Sequence, residues 1–72
     1  MFIMKLKFSE RLKELRTARN MSQQAMAEFL NVKQPTIARW EKGLIEVDLL
    51  TLMKLAKYFG VTTDYLLGLS DF

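Results

Sequence analysis

One helix-start signal occurs three times in this sequence, and this repetition constrains the fold more than any other feature. In each copy a helix-capping residue (Ser22, Asp48 or Thr62) stands between two apolar residues, one directly before it and one four residues after it. The capping side chain accepts a hydrogen bond from a free backbone amide of the first turn. The two apolar residues pack against each other across the cap. The sequence therefore predicts three helix beginnings.

Apolar periodicity and stop signals extend this to a prediction of five helices. Phe8, Leu12 and Leu15 are spaced to give a first helix, starting at Ser9, one apolar face. Asn31, which tolerates the left-handed conformation, ends the second helix. The predicted helices cover residues 9–20, 22–30, 34–42, 49–59 and 63–67. The fourth is predicted to bury one stripe, formed by Leu49, Leu52, Leu55, Ala56 and Phe59.

Length and composition exclude several classes of protein. A chain of 72 residues is one small domain, and a domain of this size buries only about 60% of its unfolded surface. It contains no Cys and no His, which removes disulfides, thiolate metal sites and the commonest general base. Without a glycine-rich phosphate loop or a paired-carboxylate site as well, we predict that it is not an enzyme and uses no metal or cofactor.

The modest excess of basic residues permits contact with the phosphates of a nucleic acid, and the apolar runs are too short for a membrane span. Eleven basic and eight acidic residues give a net charge of +3, and the sequence pI is about 9.5, within the basic range typical of nucleic-acid-binding domains. No apolar run approaches the ~20 residues of a membrane span. The lack of cysteine agrees with a cytoplasmic location. No small-molecule ligand is indicated.

The second and third helices match a helix-turn-helix unit. A tight turn of three residues, 31–33, separates them. In such a unit the second of the two helices, here the third helix of the chain, lies in the major groove of DNA. With Ile37 and Trp40 on the inner side, four residues remain outside as predicted base contacts: Gln34, Pro35, Thr36 and Arg39. Predicted phosphate contacts are Gln23, Lys33 and Lys42.

These residue types suit base recognition. Glutamine can bind adenine at two points, and arginine can bind guanine at two points. Thr36 can offer a hydroxyl to phosphate or a methyl to thymine, and Pro35 can pack on a thymine methyl. Taken singly, Gln34, Arg39 and Lys42 could each be ordinary solvated surface. The combined pattern favours the DNA interpretation.

Two longer stretches resemble the Cro/cI-type, or XRE-type, helix-turn-helix repressors. The first covers residues 21–43, beginning Met21-Ser22-Gln23 and ending Lys42-Gly43, and the second covers 52–68. The resemblance extends over roughly residues 9–68. It implies an all-α, compact five-helix bundle of the lambda-repressor-like DNA-binding type, which binds a near-palindromic operator as a two-fold dimer.

Carried over by position, the resemblance implies the same assignment of base and backbone contacts. It also suggests that Arg16 pairs with Glu41, which would tie the first helix to the end of the third. An arginine beside an apolar face needs such a partner, and Glu41 lies one turn beyond Ile37.

The chain departs from the family pattern at two places. The loop of residues 44–47, Leu-Ile-Glu-Val, lacks the family's basic residues, so we do not expect it to contact phosphate. Lys33 stands where the family commonly has a hydroxyl cap, and it is expected to exchange capping for a phosphate contact.

We therefore predict an N-terminal arm at residues 1–8, a DNA-binding domain at 9–68 and a tail at 69–72. The predicted function is sequence-specific regulation of transcription, most simply repression, by a homodimer on double-stranded DNA. The alternatives are a protein-interaction module with Leu44 and Ile45 as its patch, or the DNA-binding part of a larger regulator. Candidate dimer contacts are Leu67, Leu69 and Phe72, which we favour, then Leu44, Ile45, Leu50 and Met53, and finally Phe2 and Met4.

Overall fold

A computed structural model describes residues 7–72, which form five α-helices and no strand. The helices are α1 (Phe8–Ala18), α2 (Gln23–Leu30), α3 (Gln34–Glu41), α4 (Leu49–Phe59) and α5 (Thr63–Leu67). The all-α, five-helix prediction is confirmed. The candidate arm contacts Phe2 and Met4 lie outside the described residues.

The three repeated start signals form caps as predicted. The side chains of Ser22, Asp48 and Thr62 each accept the backbone amide three residues on, at 2.9, 3.3 and 2.9 Å. The apolar residues before the caps pack against the core: Met21, Val47 and Val61. The apolar residues that lie four positions after each cap are buried: Met26, Leu52 and Leu66. The local sequence therefore fixes where α2, α4 and α5 begin.

The start of α1 was predicted wrongly. The helix begins at Phe8, and Lys7 occupies the N-cap position without a side-chain hydrogen bond. The hydroxyl of Ser9 instead donates to the backbone carbonyl of Trp40 at 2.5 Å. The helix ends at Ala18, because Asn20 turns into the left-handed region at φ 55°. Ser9 is thus a contact between helices and not a cap.

The core lies where the five helices meet, and α3 packs against both α1 and α2. Phe8 and Trp40 meet edge to face across the α1–α3 contact, with ring centroids 6.3 Å apart. Twelve apolar residues are buried there: Phe8, Leu12, Met26, Ala27, Leu30, Ile37, Trp40, Leu52, Leu55, Ala56, Phe59 and Leu66. Because the inner side of α3 is held by two helices, its outer side has a fixed orientation.

The first turn of α4 lies outside this core, contrary to the predicted stripe. Leu49 is 76% exposed, and Leu50 and Met53 are also exposed. The buried stripe begins only at Leu52. The spacing of Leu49 fits the stripe, but the core covers α4 only from Leu52 onward, so Leu49 remains in solvent.

A close approach between α1 and α5 requires glycine at position 68. Gly68 ends α5 at φ 89°, in the left-handed region. A Cβ at this position would lie 3.1 Å from the Cβ, Cγ and backbone nitrogen of Lys7. Gly68 therefore lets the start of α1 lie directly beside the end of α5.

Candidate nucleic-acid interface

The α2–α3 unit is closed by a short turn with internal hydrogen bonds. Asn31 adopts the predicted left-handed conformation at φ 58°. The next amide, that of Val32, donates back to the carbonyl of Ala27 at 2.9 Å. Ile37 and Trp40 are buried. This geometry sets the direction in which α3 leaves the turn and the side that it shows to solvent.

The solvent side of α3 carries three of the predicted contact residues. Pro35, Arg39 and Lys42 are exposed, and their spacing of four and three residues places them one above another on a helix. Lys33 is exposed at the N-cap position and forms no side-chain cap. The side therefore combines three cations with one rigid apolar residue.

Two further predicted contacts, Gln34 and Thr36, are half-buried on the flanks of this side. Gln34 is held by Gln23, because its Nε2 donates to the Gln23 Oε1 at 2.6 Å. We did not predict this bond from the sequence. Its only sequence signal is that a glutamine occupies the first position of both helices. The structure thus joins one predicted backbone contact to one predicted base contact.

A buried ion pair underlies the same region. Arg16 of α1 donates through Nε to Glu41 Oε2 at 2.7 Å and through Nη2 to Glu41 Oε1 at 2.9 Å. Its Nη1 donates to the backbone carbonyl of Met21 at 2.7 Å. Gln23 Nε2 donates to Glu41 Oε1 at 3.1 Å. One continuous hydrogen-bonded chain therefore runs from α1 through α3 and α2 to Gln34.

The ion pair shifts the ionisation of both partners towards the charged forms. Burial raises the pKa of Glu41, but the hydrogen bonds from Arg16 and Gln23 and the charges of Arg16 and Lys13 outweigh burial, so the pKa is lowered. The hydrogen bond to Glu41 and its charge raise the pKa of Arg16 against the opposing effect of burial. Glu41 is therefore a carboxylate at neutral pH.

A groove of about 170 Å³ borders the second half of α3. Its lining residues are Thr36, Arg39, Trp40, Leu44 and Glu46. This volume is below the roughly 300 Å³ at which typical small-molecule sites begin. The groove places the acidic Glu46 beside Arg39 on the outer side of α3.

The loop between α3 and α4 offers a smaller apolar patch than we predicted. Leu44 is 57% exposed, but Ile45 is partly buried and packs against the core. This packing removes half of the patch on which the protein-interaction alternative depended.

The part of the chain that the structure describes shows neither a metal site nor a membrane-spanning helix. Within residues 7–72 no group of three or more acidic side chains could hold a metal ion. Over the same range no helix has the length and apolar character needed to cross a membrane.

Comparison with known proteins places this geometry in a family. The prophage-derived HTH-type transcriptional regulator YonR of Bacillus subtilis is 48% identical over 60 residues, covering 83% of this chain and 56% of YonR. The chain thus spans about half the length of that curated relative. A transcriptional regulator from Listeria innocua has a similar structure, with a TM-score of 0.85, 32% identity and coverage of 90% of this chain and 61% of the other.

This chain covers almost the whole length of a second solved structure. The P22 c2 repressor, in complex with a synthetic operator, superposes with a TM-score of 0.77 and 28% identity over 89% of this chain and 96% of the repressor. The sequence profile described as helix-turn-helix matches residues 12–66, which include all of α2, α3 and α4. The chain therefore belongs to the helix-turn-helix family of transcriptional regulators.

Proposed function

We propose that this protein is a sequence-specific, double-stranded DNA-binding regulator of transcription in the cytoplasm, acting most simply as a repressor. The observation that carries the proposal is the exposed side of α3, on which Pro35, Arg39 and Lys42 lie one above another. A helix of this kind, presented by a helix-turn-helix unit, fits the major groove. The P22 c2 repressor, which has a similar fold, is in complex with a synthetic operator.

The contact residues take two roles in this proposal. Arg39 and Gln34 form hydrogen bonds with base edges, since these side chains match guanine and adenine respectively. Thr36 and Pro35 contact the bases from the same turn of α3. The phosphate contacts come from three residues around the unit: Gln23, Lys33 and Lys42. Lys33 is exposed and forms no side-chain cap, so its ammonium group is free to donate to a phosphate of the DNA backbone.

Dimerisation is the second part of the proposal. One recognition helix reads only a few base pairs, and two domains one helical turn apart read two half-sites. The favoured C-terminal surface has exposed Leu69 and Phe72 but a half-buried Leu67. The competing surface on α4 includes exposed Leu50 and Met53.

Sedimentation on the selected operator tests the dimer. We expect two chains for each saturated operator in the parent. Leu69→Asp with Phe72→Asp is expected to remove the second chain, while Leu50→Asp with Met53→Asp is expected to leave it. The reverse result moves the interface to α4, and one chain per operator in the parent contradicts the dimer.

Selection of bound sites from random duplex DNA tests the central proposal. We expect an enriched, near-palindromic site whose affinity falls steeply as salt increases, because phosphate contacts release counterions. Failure to enrich any site would contradict sequence-specific binding. If binding to the DNA does not weaken as salt increases, the protein-interaction alternative is favoured.

Arg39→Ala and Lys42→Ala form a matched pair on the same side of α3. We expect Arg39→Ala to relax base choice at one position, at a cost of about 1–3 kcal/mol. Lys42→Ala should weaken all sequences equally and lower the salt slope by about one. A uniform loss for Arg39→Ala would make it a phosphate contact, and an unchanged salt slope for Lys42→Ala would remove it from the interface.

A further inference from the structure

The hydrogen-bonded chain from Arg16 to Gln34 has a direction, and Glu41 sets it. An ionised carboxylate only accepts hydrogen bonds, so Gln23 must turn its Nε2 towards Glu41 Oε1, at 3.1 Å. Its Oε1 then points the other way. Because that oxygen can only accept, Gln34 must present its Nε2 to it, at 2.6 Å. A single buried charge thus fixes the orientation of two successive amides.

This orientation determines what Gln34 can offer to a base. Its Nε2 has two N–H groups, and one is used by Gln23, so one N–H and the Oε1 remain. A donor next to an acceptor matches adenine, which presents N7 as acceptor and the N6 amino group as donor. If both amides were reversed, Gln34 would accept from Gln23 and keep two donors. Two donors match guanine, which presents N7 and O6 as acceptors.

We propose that Glu41 is a positioning residue for base recognition, which holds Gln23 and Gln34 in the orientation that favours adenine over guanine. The proposal rests on the proposed function, in which Gln34 contacts a base. Glu41 has the right position for this role because its Oε1 is shared between Arg16 and Gln23. The same carboxylate therefore joins α1 to α3 and orients the first residue of α2.

Glu41→Gln removes the charge but retains the shape, and it tests the proposal directly. An amide at position 41 can donate or accept, so both orientations of Gln23 become available. The assay uses the full chain and duplexes carrying the selected site, with adenine or guanine at the position whose preference Gln34→Ala abolishes. We express the preference for adenine as the dissociation constant for the guanine duplex divided by that for the adenine duplex. We expect this ratio to fall by about tenfold, within the range that a two-point base contact supplies.

Arg16→Lys is the matched control. It keeps a positive charge beside Glu41, so position 41 stays an acceptor, but it loses the two-point pairing that arginine provides. We expect Arg16→Lys to lower the free energy of unfolding while leaving the preference for adenine, measured by the same ratio of dissociation constants, unchanged. The ratio of two dissociation constants for one sample does not depend on the fraction of folded protein, so loss of stability does not imitate loss of preference.

The outcomes separate this proposal from the proposed function. A preserved ratio in Glu41→Gln, or an equal loss in Arg16→Lys, overturns the positioning role while DNA binding stands. If Gln34→Ala changes no base preference, Gln34 reads no base, and both the positioning role and that part of the proposed function fail. If Glu41→Gln is too unstable to bind, Gln23→Ala is used in its place. This variant breaks the hydrogen-bonded chain at Gln23 and leaves the Arg16–Glu41 ion pair intact. A lost preference there supports the proposal, and an unchanged preference overturns it.

Discussion

Helix α1 contains two buried arginines, five residues apart, whose guanidinium groups are stabilised in different ways. Arg11 is 9% exposed and Arg16 is 8% exposed. Arg16 is paired at two points with Glu41, whose side chain is only 5% exposed. Arg11 donates to the backbone carbonyls of Tyr65 and, at 2.6 Å, Ser70. Its Nη2 also lies 3.5 Å from the carboxylate of Asp71, which is 85% exposed.

The difference shows that a buried cation can be satisfied by a charge or by peptide dipoles. Within residues 7–72 no buried side-chain nitrogen or oxygen lacks a hydrogen-bond partner. Arg11 lies over the ring of Tyr65 as well, 4.1 Å from its centroid. Arg16 thus connects α1 to the helix that carries the candidate interface, whereas Arg11 connects α1 to α5 and the C-terminal residues.

The largest expected effect comes from breaking the buried pair on one side. Glu41→Ala leaves the guanidinium of Arg16 buried without its carboxylate, and such a change costs about 3–5 kcal/mol. Chemical denaturation of parent and variant measures the loss. A free energy of unfolding equal to the parent's would contradict a stabilising role for the pair and would remove the contrast with Arg11.

Acid should weaken the same pair by protonating Glu41. The expected loss of stability is smaller than that of Glu41→Ala, because the volume of the side chain is retained. The pKa of Glu41 is lowered in the folded protein from its ordinary value of 4.5. Its contribution to stability is therefore complete above that value and is lost as the pH falls through the lowered, folded-state pKa. The difference in free energy of unfolding between parent and Glu41→Gln should narrow from about pH 7 to about pH 3. A difference that stays constant over this range would contradict a lowered pKa of Glu41 in the folded protein.

Removal of the guanidinium at position 11 is expected to cost less than Glu41→Ala. Arg11→Met keeps an apolar stem in place but leaves the carbonyls of Tyr65 and Ser70 without their donor. Hydrogen bonds to charged groups contribute about 1.5–3 kcal/mol. We expect a loss in that range, together with faster amide exchange at Leu69, whose amide donates to the backbone carbonyl of Asp64 at 2.8 Å. A loss as large as that of Glu41→Ala would mean that carbonyls and a carboxylate stabilise a buried arginine equally.

The two arginines also mark the limit of prediction from sequence. Arg16 and Glu41 were recognisable because both partners are side chains at positions that the family resemblance identifies. Arg11 was missed because its partners are main-chain carbonyls, which every residue possesses and no residue pattern reveals. The bond between Gln23 and Gln34 was missed for a related reason, since it depends on how α2 and α3 cross. Caps and apolar spacing are local, so helix positions were predicted well, except at Ser9 and Leu49, where packing between helices decides.

The smallest expected effect tests whether Asp71 contributes to holding Arg11. An exposed ion pair is worth less than about 1 kcal/mol, because solvent screens it and the side chains lose freedom. Asp71→Asn retains an oxygen that can accept from Arg11 Nη2 and removes only the charge. We expect a free energy of unfolding close to the parent's, and an Arg11→Met, Asp71→Asn double variant close to Arg11→Met alone. Near-zero coupling in this cycle would assign the stabilisation by Arg11 to the two carbonyls and the Tyr65 ring. A coupling as large as the whole effect of Arg11→Met would instead make Arg11 a second charge-paired arginine, and the contrast between the two ends of α1 would no longer hold.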